Sequence, residues 1–158
     1  MNHVLLERQV RELFQQQLLG VLATNTGSAV AEPYVSLIAF VATEDLRRLI
    51  FFTSRNTRKF NNIVTNSQVS MLIDNRTNQA GDFQTALAVT VLGRAIEQHG
   101  AEKSSLQKLF LARHPELEAF ALDSSSALIE ILVERYILVS RFQQVNELVM
   151  HSYKTMTA

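Results

Sequence analysis

The sequence predicts a mainly antiparallel β-sheet with flanking helices, an α+β fold. Strand-like segments outnumber helical ones, and most are joined by turns too short for a parallel crossover. Residues 37–41, 49–52 and 87–92 are apolar on both faces, whereas a sheet with one solvated face would alternate. Both faces must therefore be covered. We expect the sheet to close into a barrel and to pair with a second copy of the chain as a homodimer.

Length and composition limit the class of protein. The 158 residues, 47% of them hydrophobic, suffice for one domain, residues 1–158, with a sizeable core. The 15 basic and 15 acidic side chains balance, which argues against nucleic-acid or membrane-surface binding. Cysteine is absent, which excludes disulfides, thiolate metal sites and thiol catalysis. We expect a cytoplasmic protein, with neither a signal peptide nor a transmembrane helix.

The chain begins with a predicted amphipathic helix that ends near Gly20. Its apolar positions recur at helical spacing and would face the core: Leu6, Val10, Leu13 and Phe14. Two strands, residues 21–24 and 30–41, then form a hairpin around a turn at residues 25–28. Pro33 cannot donate to a strand ladder, so we expect it at a sheet edge or a bulge.

The next strand, residues 48–53, leads into a polar, basic turn and a short helix. Asn56 or Thr57 can cap that helix, whose apolar positions share one face: Phe60, Ile63 and Val64. A helix N-terminus carries unpaired N–H groups and a partial positive charge, and here Arg55, Arg58 and Lys59 surround it. Residues 46–73 contain no acidic side chain. The pattern predicts a phosphate site, and a merely solvated basic surface is the alternative.

The second half alternates strands and helices. A strand at residues 69–74 and an exposed loop at 75–82 precede a long strand, 84–98, in which Gly93 indicates a bulge or a close backbone contact. A helix at residues 101–113 follows, and Pro115 suits the first turn of another, with three side chains directed inward: Leu117, Phe120 and Ala121. Residues 127–142 read as one long strand, or as two joined by a bend near residues 134–135.

The tail beyond Gln143 is compatible with a final helix. Its apolar positions are Val145, Leu148 and Val149. We expect residues 155–158 to fray.

Six segments, in this order and spacing, resemble the FMN-binding split barrels related to pyridoxamine 5'-phosphate oxidase. They lie between residues 13 and about 98, and are GVLAT at 20–24, PYVSLI at 33–38, FFTS at 51–54, TRK at 57–59, NSQVSML at 66–72 and GRA at 93–95. The resemblance implies a six-stranded antiparallel split barrel with helices at its ends. It also implies a homodimer with flavin sites at the subunit interface.

The resemblance also implies the cofactor-binding residues. Arg58 and Lys59 match the pair that binds the FMN phosphate, residues 52–54 match the strand end beside the ribityl chain and phosphate, and residues 34–37 match the strand beside the isoalloxazine. The full set is Tyr34, Val35, Ser36, Leu37, Phe52, Thr53, Ser54, Thr57, Arg58 and Lys59. Ordinary strand packing is the alternative for Tyr34 and Ser36. No catalytic residue is assigned, and no metal site is expected.

Several departures from the family pattern limit the activity that it implies. Residues 34–40 lack the basic strand of the oxidases, Ala88 stands near their glutamine, and residues 139–158 lack their substrate-phosphate motifs. We therefore do not expect pyridoxamine phosphate oxidation. Residues 109–115, residues 133–135 and Phe142 are instead similar to the haem-utilisation branch of the superfamily, whose C-terminal histidine has a candidate here in His151.

The expected function is an FMN-dependent oxidoreductase that acts on a small-molecule substrate or electron donor. A haem-binding or haem-degrading split barrel and a non-catalytic flavin binder are the alternatives. His3 and His99 have no carboxylate or histidine partner at metal-ligand spacing, and His114, before Pro115, is expected to be a helix-start residue. A single histidine in a tail is usually just exposed.

Overall fold

A computed structural model describes residues 2–151 of the chain. The helices are α1 (His3–Gln16), α2 (Arg58–Thr65), α3 (Asp82–Thr85), α4 (Gly100–Arg113) and α5 (Glu118–Leu122), with a 3-10 helix, Pro115–Leu117, before α5. The strands are β1 (Leu19–Asn25), β2 (Pro33–Ala39), β3 (Val41–Ala42), β4 (Arg48–Ser54), β5 (Gln68–Asp74), β6 (Leu87–Glu97), β7 (Ser126–Ser140) and β8 (Gln144–Val149). Within the described range, no helix combines the length and apolarity needed to span a membrane.

All described strands belong to one antiparallel sheet. The order is β2-β1-β5-β6-β7-β4-β3, and β8 pairs with the C-terminal part of β7. The sheet curls so that its edge strand β2 also contacts β4, which confirms the split-barrel prediction. The sheet has eight strands rather than six, because the two-residue β3 and the C-terminal β8 join it. Pro33 is the first residue of the edge strand, where its missing N–H breaks no ladder.

The main core lies inside the curl, and α1 covers it. The predicted face of α1 is buried as expected: Leu6, Val10, Leu13 and Phe14. The Phe14 ring meets Phe40 edge to face, with 5.4 Å between centroids. The helix ends at Gln16 rather than near Gly20, because Gly20 already pairs with Ile38 in the β1–β2 ladder.

A second apolar layer lies outside the sheet, where α4 and α5 cover β4 and the start of β7. It consists of Val41, Ile50, Phe52, Leu106, Phe110, Ala121 and Leu128. The prediction that Phe120 faces inward is wrong, because α5 turns Ala121 to the sheet and leaves Phe120 42% exposed.

The bulge predicted at Gly93 is confirmed. The β6–β7 register shifts between Leu92 and Gly93, so that Glu134 is an extra residue on β7. A Cβ at Gly93 would lie 2.2 Å from the carbonyl oxygen of Leu132, which only glycine avoids. β7 nevertheless runs unbroken, as the first of the two predicted alternatives.

Two parts of the chain differ from the sequence predictions. The strand expected from residue 84 begins at Leu87, because Asp82 starts α3 and accepts hydrogen bonds from the N–H groups of Thr77 and Asn78. The tail forms β8 rather than a helix. Positive φ angles at Arg141 (46°) and Phe142 (62°) turn the chain back onto β7. Residues 155–158, expected to fray, lie outside the described residues.

One face of the sheet stays apolar and exposed. The strand registers place it opposite the barrel core, across β2, β1, β5, β6, the C-terminal part of β7, and β8. Its large apolar side chains are between 46% and 64% exposed: Leu19, Val35, Leu37, Val145 and Val149. This is the surface for which the sequence predicts a second subunit.

Candidate functional site

The candidate phosphate site lies where β4 ends and α2 begins. Of the two possible caps, the structure selects Thr57: its Oγ1 accepts the Phe60 N–H at 3.4 Å and donates to the Ser54 carbonyl at 2.8 Å. The hydroxyl of buried Thr53 lies 3.1 Å from that of Thr57. These bonds fix the turn, and the earliest N–H groups of α2 have no partners within the helix.

The guanidinium of Arg58 is held between two residues that flank Pro33. Its Nη2 lies 2.8 Å from Oε1 of Glu32, and its Cζ lies 5.0 Å from the centre of the Tyr34 ring. The structure therefore brings together Tyr34 and Arg58, which the sequence predicts as site residues. It adds Glu32, which sequence reasoning missed. The Glu-Pro-Tyr spacing could have revealed Glu32, because residues two apart on an extended chain point to the same side.

Lys59 is the unbalanced charge of the site. Its side chain is half-buried, and burial lowers the pKa of the amine. Within residues 2–151 the amine has no hydrogen bond and no carboxylate partner. A half-buried cation without a counter-ion costs stability unless an anion arrives to pair with it.

The neighbouring arginines are engaged elsewhere. Arg55 pairs with Glu97, with Nε and Nη2 at 2.8 and 2.7 Å from the same carboxylate oxygen. Arg48 pairs with Glu102 at 2.5 Å and lies 3.9 Å from the buried Glu130. Two of the five cations of residues 46–73 are thus neutralised by acidic residues from later in the chain. Arg55, which the sequence places around the helix start, does not share the position of Arg58.

The four predicted residues of β2 divide between the two faces of the sheet. Tyr34 and Ser36 face the core side, whereas Val35 and Leu37 are 62% and 64% exposed on the opposite face. The Oγ of Ser36 is the one buried side-chain polar atom without a hydrogen-bond partner in the described part of the chain. β2, which carries this unsatisfied hydroxyl, contacts both β4 and α2, the two elements that form the phosphate site.

The end of β4 offers fewer side chains to a ligand than the sequence predicts. The Phe52 side chain packs on Phe110 in the outer apolar layer, with centroids 5.0 Å apart, so this side chain is not available to a ligand. The Ser54 hydroxyl accepts the N–H of Asn56 at 3.3 Å and supports the turn. Asn62, which was not predicted, ties α2 to β1 through a 3.1 Å bond from its Nδ2 to the Thr24 hydroxyl.

A groove of about 600 Å³, separate from the phosphate site, lies where β8 ends beside the start of β4. Its lining includes Arg94, Leu132, Met150 and His151, and Arg47 donates from Nη1 to the His151 carbonyl at 2.5 Å. The groove combines arginines, the carboxylates of Asp45 and Glu134, apolar side chains and an exposed imidazole. Among residues 2–151, no three side chains converge as a metal-binding set.

A curled antiparallel sheet with helices at its ends, and with a cationic helix start beside its edge strand, defines a split-barrel protein. The family model described as pyridoxamine 5'-phosphate oxidase matches residues 6–140. The chain therefore belongs to the pyridoxamine 5'-phosphate oxidase family. No curated protein sequence matches it significantly.

Solved structures show the same fold in proteins of diverse description. A heme binding protein from Mycobacterium smegmatis superposes with a TM-score of 0.78 at 16% identity, over 90% of this chain but only 57% of its own length. HutZ, the heme storage protein from Vibrio cholerae, gives 0.68 at 21% identity over 82% of this chain and 90% of its own. General Stress Protein 26 from Bacillus anthracis superposes with a TM-score of 0.70 at 20% identity, over 92% of this chain and 98% of its own length. At these identities the likeness concerns the fold alone.

Proposed function

We propose that this protein binds FMN, with the flavin phosphate held at the start of α2. The observation that carries the proposal is Lys59, a half-buried amine without a counter-ion, one residue after the arginine that faces the same helix start. A phosphate dianion would supply the missing charge. The unpaired N–H groups of the first turn of α2 suit the same ligand.

The residues present fit the remainder of a flavin nucleotide. Arg58 offers a planar fork for two phosphate oxygens, and Lys59 offers a point charge. The unpartnered Ser36 hydroxyl gives a polar flavin edge a partner on the edge strand. The same strand has open backbone groups on its free side, because β1 is its ladder neighbour.

We propose further that two subunits pair through the exposed face of the sheet, as a homodimer with the flavin at the interface. Val35 and Leu37 lie on that face, directly between residues of the candidate site. A patch of this kind on a monomer marks an interaction surface. Pairing would cover the apolar surface and complete the site from the partner's side.

The proposed activity is that of an FMN-dependent oxidoreductase acting on a small-molecule substrate or electron donor. Bound FMN supplies the hydride and electron chemistry, and the chain supplies binding, orientation and exclusion of water. Arg58 and Lys59 anchor the phosphate, and the edge strand β2 would lie beside the flavin. The alternative is a protein that binds FMN but acts on no substrate. The cytoplasmic location stays a prediction from the sequence.

Haem is the second candidate ligand, and the groove with His151 is the observation that favours it. The imidazole of His151 would hold the haem, Met150 and Leu132 would supply apolar contacts, and Arg94 would offer a cation for a carboxylate, although it already pairs with Glu134. The heme-related descriptions of two structural neighbours point the same way.

The deciding experiment is a titration of the purified protein with FMN and with hemin. We expect flavin fluorescence to be quenched on binding, and we expect Arg58→Ala combined with Lys59→Ala to abolish this without changing the circular dichroism spectrum. The double variant Arg94→Ala with Lys108→Ala removes as much charge at other exposed positions and should bind FMN normally. Unchanged FMN affinity in the first variant would refute the site, whereas a Soret band lost in His151→Ala would favour haem.

A screen of reductants separates the enzyme from the non-catalytic binder. Bleaching of bound FMN by a nicotinamide cofactor or another small reductant, faster than that of free FMN, would support the oxidoreductase. If FMN binds but no reductant reacts faster than with free flavin, the non-catalytic binder is favoured.

A further inference from the structure

The strongest feature not used by the proposed function is the carboxylate of Glu32. It sits on the same guanidinium that would hold the phosphate, with 2.8 Å between its Oε1 and Nη2 of Arg58. Both side chains are largely exposed, at 65% and 47% respectively. An acidic side chain at this position opposes an incoming anion, so its presence requires an explanation.

The local sequence determines the position of Glu32. Pro33 restricts the residue before it to extended conformations, and in an extended chain Glu32 and Tyr34 point to the same side. One side chain pairs with the guanidinium and the other lies beneath it, with 5.0 Å from the Tyr34 ring centre to Cζ. The two together fix the orientation of Arg58 without any ligand.

The charges show what happens when a phosphate enters. Glu32 pairs with Arg58, and Lys59 has no carboxylate partner among residues 2–151, so the protein alone leaves one positive charge unbalanced. A phosphate dianion would bring the site to a net negative charge if Glu32 stayed in contact. Because Glu32 is exposed and its ion pair is at the surface, the side chain can leave the guanidinium at low cost.

We infer that Glu32 is a resident counter-ion that competes with the ligand phosphate for Arg58 and so makes phosphate binding weaker and readily reversible. This inference rests on the proposed function. It makes Glu32 a specificity residue: it penalises the phosphate end of the ligand and has no effect on the uncharged flavin ring. FMN would then exchange with solution rather than stay as a permanently bound group.

The test compares FMN with riboflavin, which lacks the phosphate, in the variant Glu32→Gln. We expect FMN affinity to rise roughly twofold to fivefold, the range for an exposed ion pair, with slower FMN dissociation in stopped-flow experiments. Riboflavin affinity should not change. The control Glu116→Gln removes the same charge at an exposed position on the 3-10 helix and should alter neither ligand.

A double-mutant cycle identifies the contact through which Glu32 acts. In an Arg58→Ala background, Glu32→Gln should leave FMN affinity within error of Arg58→Ala alone, because the shared guanidinium is gone. The inference is overturned if FMN binding depends on Arg58 but Glu32→Gln leaves it unchanged or weakens it, or if riboflavin tightens equally. If the wild-type protein binds no FMN, or if Arg58 does not contribute, the proposed function falls first and this inference with it.

Discussion

Replacing Lys59 by methionine should make the protein more stable and its flavin binding weaker. Methionine keeps the length of the apolar stem but removes a charge that is half-buried without a counter-ion. Because part of the side chain is exposed, the cost of burying the charge is reduced by solvent screening. We therefore expect a gain of about 0.5 kcal/mol in the free energy of unfolding. For a chain of this size, that corresponds to about 1 to 2 °C in Tm.

The effect of the same change on the ligand has the opposite sign. A charge-assisted hydrogen bond contributes about 1.5 to 3 kcal/mol, so losing it from the phosphate should weaken FMN binding by roughly ten- to 150-fold. Thermal unfolding of the ligand-free protein and a fluorescence titration with FMN measure the two effects separately. Lys108→Met, at an exposed lysine of α4, is the control and should change neither.

The pH dependence provides an independent check. Burial lowers the pKa of Lys59 in the folded protein below its usual 10.5, so between those two values the unfolded chain binds more protons than the folded one. Stability from this group therefore rises with pH across that window, and the cost is fully present at neutral pH. The advantage of Lys59→Met should shrink as pH approaches 10.5. A variant that is less stable at pH 7, or that binds FMN as the wild type does, would refute the reasoning.

Two further predictions concern the fold and the assembly. Tyr136→Phe removes the buried hydroxyl that donates to the carbonyl of Leu46, a residue at φ 60°. The change should lower the free energy of unfolding in urea by about 1 to 2 kcal/mol, whereas the control Tyr34→Phe should change it little. Equal stabilities of the two variants would contradict the role given to this bond. Leu37→Asp on the exposed sheet face should convert the proposed dimer to a monomer in light scattering, whereas Leu122→Asp on α5 should not. A dimer that survives Leu37→Asp would place the interface elsewhere.

The sequence predicted the fold well where the physical cause was local. The helical spacing from Leu6 to Phe14 leaves one apolar face, and Gly93 marks a bulge because a Cβ there has no room. The prediction of a helix in the tail was wrong, because the spacing of Val145, Leu148 and Val149 fits a helix as well as a strand. Pairing with β7 decides between the two, and pairing is tertiary.

The candidate site was predictable only in part, for a similar reason. Thr57, Arg58 and Lys59 follow from a strand, a cap and a helix start, all of which are local. The partner of Arg55 is Glu97, which is distant in sequence but adjacent in the fold. No sequence pattern near Arg55 reveals this pair. The sequence therefore shows where cations occur, and the structure shows which of them already have partners.

The distribution of satisfied and unsatisfied polar groups is the best physical argument for the site. Apart from the Ser36 hydroxyl, the buried side-chain polar atoms of residues 2–151 have partners: His114 Nε2 lies 2.7 Å from the Phe40 carbonyl oxygen, and Glu130 accepts from Gln98 at 3.1 Å. Two groups at the candidate site lack a partner within the described residues. The lone Ser36 hydroxyl is on β2, and the unbalanced Lys59 is on the helix that contacts β2. Because unsatisfied polar groups cost stability, a ligand that reached both of them at this edge of the barrel would offset that cost.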